Sequence, residues 1–465
     1  MTIWIPSLEL DSRSARYRQI AAAIGDAIDQ GQLAAGDRLP PQRTLADALG
    51  VTVGTITRAY AEAQQRGWVM SRVGSGTYVR DTASHEPPFS VHVADDQSDV
   101  IDLSLSFAPP HPWRDECLRD ALVEVSQDPA AIAMAAAYQP DIGTTAHRQA
   151  LSQWLAALGF PLHEVLAVTQ GGQHGLDLCL RALTRPGDHV AADALTYPGF
   201  NAASRHAHLR PMAIPLDEHG LDTDALEQRC RRQVPRLIYV TPDQNNPTSA
   251  VMSSERRQHL AELAERYDFW VVEDAVQYVP AAQRGPSLVS LVPHRTLQIF
   301  STSKILSGGL RVGTLQMPAT LRERIGSLMR AQSWMCPPLM AEVACRWIDS
   351  PRYTTLLAWQ EQELAARQRL AQSTLADLEP RSLPYGANFW LPLPEGRRAS
   401  EVQTLLQREG VLVATPEPFC SGSDPAPQAI RLCVGAATSR ARLTTALTTL
   451  RRVLDEGNTS PWATL

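Results

Sequence analysis

Apolar residues at helical spacing open the chain. Tyr17, Ile20, Ile24 and Ile28 share one face of a predicted helix, which Gly31 ends. Leu39-Pro-Pro-Gln-Arg43 leads into a second helix over 44–49, and Gly50-Val-Thr makes a turn. Thr52 is placed to cap a third helix over 53–65, which Gly67 ends. Two helices joined by a short glycine-containing turn form a helix-turn-helix pattern. Trp68-Val-Met-Ser-Arg72 and Thr77-Tyr-Val-Arg80 then alternate around Val73-Gly-Ser-Gly76, which predicts a β-hairpin.

The pattern then changes twice. Residues 81–100 are polar, proline-containing and aperiodic, and read as a linker. From 101 onward, short apolar runs alternate with helical stretches. Strands are expected at Leu166-Ala-Val-Thr, His189-Val-Ala-Ala, Leu237-Ile-Tyr-Val, Trp270-Val-Val-Glu and Leu297-Gln-Ile-Phe. That alternation predicts an α/β domain with a largely parallel sheet. From about 345 a long helix (about 355–378), a strand at Asn388-Phe-Trp-Leu, a helix near 400–409 and a strand at Ile430-Arg-Leu-Cys suggest a smaller α+β part. The expected organisation is therefore 1–80, a linker at 81–100, and 101–465 with a large part at about 145–344.

Composition narrows the classes. Hydrophobic residues make up 44% and charged residues 20% of 465, as in folded globular proteins. No apolar run approaches the roughly 18–20 residues that span a bilayer, and the start lacks a signal-peptide pattern, so a cytoplasmic protein without membrane contact is expected. Seven scattered cysteines without a CxxC argue against a disulfide framework or a zinc site, and no metal is expected. The net charge is -6, but residues 1–80 carry nine arginines against seven acidic residues. The amino-terminal part is the one suited to meet phosphate.

Of 43 basic residues, one is a lysine, Lys304. Guanidinium keeps its proton near neutrality, whereas an amine can lose it and attack a carbonyl. Lys304 is thus a candidate Schiff-base former. In doubly wound sheets ligands sit beyond the carboxyl ends of strands. There the sequence places Gly171-Gly-Gln-His174 opening a helix, Thr241-Pro-Asp-Gln-Asn-Asn246-Pro-Thr, Asp274, Ser301-Thr-Ser-Lys304 and Arg311. Together they supply an amine, a carboxylate for a ring nitrogen, and serines, an arginine and a helix N-terminus for phosphate. Tyr197 is available to stack on a ring.

The order Tyr138-Gln-Pro-Asp-Ile-Gly143, Tyr197-Pro-Gly, Asn246-Pro-Thr, Asp274, Ser301-x-Ser-Lys304, Arg311 and Arg431 resembles the fold-type I aminotransferases over 101–465. Residues 36–51, with Arg43, then Ala59-Tyr60 and Gly74-Ser-Gly-Thr77, are similar to the winged-helix domain of GntR-type regulators. Fused in this order, the two halves resemble the MocR subfamily of transcription regulators. The resemblance implies pyridoxal 5'-phosphate bound as a Schiff base at Lys304. It implies Asp274 at the pyridinium, Asn246 at the ring hydroxyl, and Gly172, Gln173, Ser301, Ser303 and Arg311 at the phosphate. Tyr138 would reach the partner subunit's phosphate in a homodimer, and Arg431 would clamp an amino acid's carboxylate.

Three departures stand out. The family tyrosine two or three residues after the aspartate is replaced by Val276 and Gln277, with Tyr278 one later; Tyr278 is kept among the candidate cofactor contacts. Asn-Pro-Thr-Gly reads Asn-Pro-Thr-Ser249. The recognition helix begins Val53-Gly54 where many relatives have an arginine. Base readout then falls to Thr52, Thr55, Thr57 and Arg58, with Arg43 on phosphate or a base edge and Gly76 in the wing. The expected function is a regulator that binds paired half-sites on double-stranded DNA and senses pyridoxal phosphate or its adduct with an amino-acid or amine effector. Vitamin B6 or amino-acid and amine metabolism would be under its control. The alternative is a working aminotransferase with an accessory DNA-binding domain.

Overall fold

The computed structural model describes residues 4–6, 15–29, 31–34, 36–66, 68–72, 76–79, 99–422 and 424–456. The hairpin tip expected at 73–75 and the linker expected at 81–100, up to residue 98, lie outside the described residues. The chain divides into two compact units, one of residues 1–92 with 423–427 and the other of 93–422 with 428–465.

The first unit holds three helices, α1 (Arg16–Asp29), α2 (Gln42–Leu49) and α3 (Val53–Gln65), and a hairpin of Val69–Arg72 with Gly76–Val79. Its core is built from one face of each: Ile20 and Ile24, Leu45, Ile56, Ala59, Tyr60 and Ala63, closed by Val69 and Val79. Gly25 lets α1 lie against Trp68, since a Cβ there would stand 2.6 Å from the indole. Tyr60 is buried and its hydroxyl donates to the Pro40 carbonyl at 2.7 Å, tying α3 to the turn before α2. The α2 helix starts two residues earlier than the sequence pattern predicts, because Pro41 supplies extended backbone at the cap and Gln42 can already follow it.

In the second unit a seven-stranded sheet forms the large part. Its strands are β1 (Val165–Thr169), β2 (His189–Asp193), β3 (Arg210–Ile214), β4 (Leu237–Val240), β5 (Trp270–Asp274), β6 (Thr296–Ser301) and β7 (Gly313–Met317). Their order is β1-β7-β6-β5-β4-β2-β3; β7 is antiparallel to both neighbours and all other pairs are parallel. The central strands are buried on both faces, which is why β4 reads as an unbroken apolar run and β6 as a mostly apolar one, with Gln298 buried at its centre. One face packs under α4 (Gly172–Leu183), with Leu176, Leu180, Phe200 and Ile325 in its core. The helix Pro112–Gln127 also belongs to the large part's core, through Cys117, Ala121 and Val125. That part therefore gathers residues well ahead of the expected start near 145.

The small part is a three-stranded antiparallel sheet of β8 (Arg381–Ser382), β9 (Asn388–Pro392) and β10 (Ala429–Cys433). Phe389, Leu391, Ile430 and Leu432 face a core shared with Leu364, Val402, Leu406 and Leu447 from the helices Pro351–Leu375, Ala399–Arg408 and Arg440–Glu456. Alternation then turns Asn388, Trp390, Arg431 and Cys433 to the opposite face. Ile101–Asp102 pairs in parallel with Val411–Leu412, so the unit's first residues belong to the small part's core.

Candidate functional site

At the carboxyl ends of β1, β4, β5 and β6 the sequence-predicted residues converge. Gly171 caps α4 at φ 80°, and a Cβ on it would stand 2.4 Å from Arg311 Nη2. Only glycine lets the guanidinium lie against the helix N-terminus, where backbone N–H groups and the helix dipole favour an anion. Arg311 itself sits at φ 53° and donates to the Gln170 carbonyl at 3.3 Å and the Gly308 carbonyl at 3.2 Å. Gly172 packs beneath Val276, whose methyl would be 2.7 Å from an added Cβ. Gln173 donates to the Gly199 carbonyl at 3.1 Å, while its Oε1 is buried without a partner. Ser301 and Ser303 share a hydroxyl–hydroxyl bond of 2.8 Å.

Asp274 ends β5 beneath this cradle. Its carboxylate accepts from the Tyr239 hydroxyl at 2.5 Å and from Val276 N–H at 2.8 Å. Burial raises its pKa, against the opposing pull of Tyr239, Val276 and Lys304. The Tyr239 contact was not anticipated. Its signal was a phenol inside a fully buried strand, which needs a partner for its hydroxyl.

Lys304 follows β6, and its ammonium donates to the Ser106 carbonyl. Burial, with Arg431 and Arg311 nearby, pulls its pKa from 10.5 to about 8, although Cys433 and Asp274 oppose the shift. The amine is therefore poised near the pH where it becomes a nucleophile. Tyr197 precedes the helix Pro198–His206, and burial pushes its phenol up to about 12. Arg431 Nη1 donates to Asn246 Oδ1 at 3.0 Å, and Nη2 to the Ser104 carbonyl. Ser249 holds φ 59°, the left-handed conformation that a glycine at this place would take without strain.

Two candidates lie apart. Tyr278 donates to Glu361 at 2.7 Å and packs into the core of the large part, away from Asp274. Gln277 instead reaches Ser106 Oγ at 3.4 Å, beside the carbonyl that holds Lys304. Tyr138 is 81% exposed and lies against Trp334.

On the first unit, α3 presents Thr52, Val53, Gly54, Thr57 and Arg58 as its exposed face, and Arg43 is exposed on α2. Thr52 accepts from Thr55 N–H at 3.2 Å, and the two hydroxyls pair at 2.9 Å. Thr57 donates to Gln42 at 2.8 Å. Three hydroxyls are thus already engaged within the protein, while Arg58 lies over the Tyr17 ring at 5.9 Å. Gly76 has φ 123° and lies against Arg38.

The donor set fits pyridoxal phosphate. The Gly171–Gly172 cradle, Arg311 and the two serines suit a phosphate, the buried carboxylate suits a protonated ring nitrogen, and the lone amine suits an aldehyde. Among the described residues no group of three or more histidine, cysteine, aspartate or glutamate side chains is arranged to hold a metal, and no helix is long and apolar enough to cross a membrane.

The family model "Aminotransferase class I and II" matches residues 98–450, and "Bacterial regulatory proteins, gntR family" matches 16–79. The HTH-type transcriptional regulator YdeF of Bacillus subtilis is 28% identical over 462 residues, covering 97% of each chain. The vitamin B6 salvage pathway transcriptional repressor PtsJ of Salmonella typhimurium is 26% identical over 413 residues, covering 88% of this chain and 92% of its own. Among solved structures, the kynurenine aminotransferase of Pyrococcus horikoshii superposes with a TM-score of 0.71 at 24% identity, over 78% of this chain and 93% of that one.

Proposed function

The chain belongs to the aminotransferase class I and II family, joined to a gntR-type domain in the MocR architecture, and on that premise we propose that it is a DNA-binding transcription regulator that senses pyridoxal phosphate and an amino-acid or amine effector. One observation carries this reading. The chain keeps an exposed recognition-helix face and, in its second unit, half-buried Lys304 and Asp274 clustered with buried Arg431.

When bound, pyridoxal phosphate supplies an aldehyde that condenses with amines and a ring that withdraws electrons. Gly172, Gln173, Ser301, Ser303 and Arg311 would hold the phosphate, Asp274, supported by Tyr239, would hold the charge at the ring nitrogen, Asn246 would serve the ring hydroxyl, and Tyr197 would stack on the ring. Arg431 binds the effector's carboxylate. The Arg431 guanidinium donates to the Ser104 carbonyl and the Lys304 ammonium to the Ser106 carbonyl. Both carbonyls therefore lie at the groups that would meet effector and cofactor. Residues 104–106 lie just past Ile101–Asp102, the first strand of the second unit, so occupancy of the site bears on the DNA-binding unit through that strand.

Phe107, Leu122, Val123, Ile132, Tyr138, Trp334 and Leu339 are exposed apolar side chains of the second unit. They support a homodimer, in which Tyr138 serves the partner's site. The relatives named as regulators support a cytoplasmic protein. PtsJ supports vitamin B6 metabolism as one controlled process.

The intact Lys304, Asp274 and Arg431 also favour a second reading, a working aminotransferase. Against efficient turnover stands Gln277, where the family tyrosine would face the ring hydroxyl, with Tyr278 engaged by Glu361. Transamination of common amino acids is therefore slow or absent, and Gln277→Tyr raises it by roughly tenfold or more, the scale of one hydrogen bond made in the transition state. Single-turnover absorbance measurements check this; rapid wild-type turnover favours the enzyme. The regulator reading is tested by footprinting the full chain upstream of its own gene. A protected pair of half-sites is expected, and protection no better than on random DNA rejects it.

A further inference from the structure

Asn388 is 0% exposed, and among the described residues neither end of its side-chain amide has a hydrogen-bond partner. Folded proteins rarely leave such a group idle, and an apolar residue of the same size would fill the space without that cost. Its placement gives the omission meaning. Strand alternation puts Asn388 on the face of β9 and β10 that carries Arg431, not on the face that packs against the helices. Arg431, two residue pairs along the sheet and so on the same face, has an idle Nε as well. The turn that brings Asn246 to Arg431 also brings Ser249 Oγ to the Asn388 carbonyl at 3.4 Å, so it lies across both residues. Gln244 opens that turn, buried, with an unpartnered Nε2, and packs against Gly386, where a Cβ would stand 2.1 Å away. The surroundings of Arg431 and Asn388 thus hold three idle donors, on Arg431, Asn388 and Gln244, and two idle acceptors, Asn388 Oδ1 and the Oε1 of Gln368, whose amide donates to the Asn388 carbonyl at 3.0 Å; the bonds proposed for cofactor or effector carboxylate use none of them.

We propose that the Arg431 side of the site takes an amino acid whose side chain ends in a group that both donates and accepts hydrogen bonds, a carboxamide or a hydroxyl, and that Asn388 reads that group. The inference rests on the amino-acid-sensing reading above. The ligand's carboxylate replaces Ser104 at Arg431, and its polar end meets the Asn388 amide. An apolar side chain leaves the amide as idle as in the free protein. A carboxylate end only accepts, so it leaves Asn388 Oδ1 unpaired.

Calorimetric titration of the full chain loaded with pyridoxal phosphate tests this with two pairs of similar size, asparagine against leucine and threonine against valine. The wild type binds the polar member of each pair roughly tenfold or more tightly. Asn388→Leu removes that preference while the melting temperature of the cofactor-free protein stays the same or rises, because the idle amide is gone. Asn388→Asp, which keeps the size but loses the donor, lowers the preference for asparagine. Equal wild-type affinities within each pair overturn the inference and leave the sensor reading standing. A lower melting temperature with an unchanged preference makes Asn388 a structural residue and overturns it too. Failure of all four amino acids to bind overturns the inference together with the sensor reading beneath it.

Discussion

Lys304→Ala yields a colourless protein from a yellow wild type, and borohydride treatment with pyridoxal phosphate then fixes no adduct on any side chain, as peptide mass mapping shows. The loss is complete because Lys304 is the only lysine in the chain, and no neighbouring side-chain amine can take over. The surrounding residues also set when the wild-type amine reacts. Burial lowers its pKa to about 8, so the rate of cofactor uptake rises with pH and levels off above about 8 instead of above 10.5. The same shift makes a statement about stability. Between about 8 and 10.5 the unfolded chain holds this proton and the folded cofactor-free protein does not, so stability rises with pH across that window. Below about 8 both states are protonated, and the contribution is flat. Thermal melts of wild type and Lys304→Met across the window check the sign: the mutant lacks this rise.

Arg43→Ala and Arg58→Ala each weaken binding of the full chain to its operator by about 10- to 100-fold, the scale of about 1–3 kcal/mol per lost base or phosphate contact. Both arginines are exposed, and neither holds the fold. Among the described residues Arg58 meets only the Tyr17 ring, an exposed cation–π contact of roughly 0.5–1 kcal/mol, so its loss falls on DNA binding and hardly on stability. If Arg43 meets phosphate, its removal also lowers the slope of log affinity against log salt by about 0.9 for each contact. Thr52→Ala behaves differently. It deletes the α3 cap and costs about 1 kcal/mol of stability, whatever it does at the DNA. Fluorescence anisotropy at several salt concentrations, with melting curves alongside, separates the two effects. Unchanged affinity in both arginine variants would place the DNA contact elsewhere.

What the sequence disclosed follows from how local the controlling physics was. The α3 helix was legible to both ends because Thr52 caps it and Ile56, Ala59, Tyr60 and Ala63 repeat at helical spacing. The central parallel strands were legible as apolar runs, because burial on both faces leaves no polar alternation to confuse them. The edge strand Arg210–Ile214 was not, since Arg210 and Pro211 face solvent. Nor was Gly313–Met317, whose buried Thr314 and Gln316 interrupt the apolar pattern. Gln316 is tolerated there because it donates to Gln298 on the neighbouring strand, a partner 18 residues away. The site divides in the same way. Lys304, Asp274 and Arg311 stood out by residue type and position, whereas the Tyr239 contact to Asp274 and the idle amide of Asn388 depend on strands that meet only in the folded sheet. Tyr278 shows the limit of spacing. One residue of displacement after Asp274 sends its ring to Glu361 and leaves Gln277 beside Ser106.

The central claim is that occupancy of the Lys304 site alters DNA binding, and operator affinity measured with and without pyridoxal phosphate tests it most directly. The full-length wild type and Lys304→Ala are titrated side by side at one salt concentration. The account predicts that pyridoxal phosphate changes the wild-type affinity by about 5- to 150-fold, the range of a coupling free energy of 1–3 kcal/mol, and leaves the Lys304→Ala affinity unmoved. A wild-type affinity that stays the same with and without the cofactor, in a protein shown by its colour to have bound it, would contradict the account.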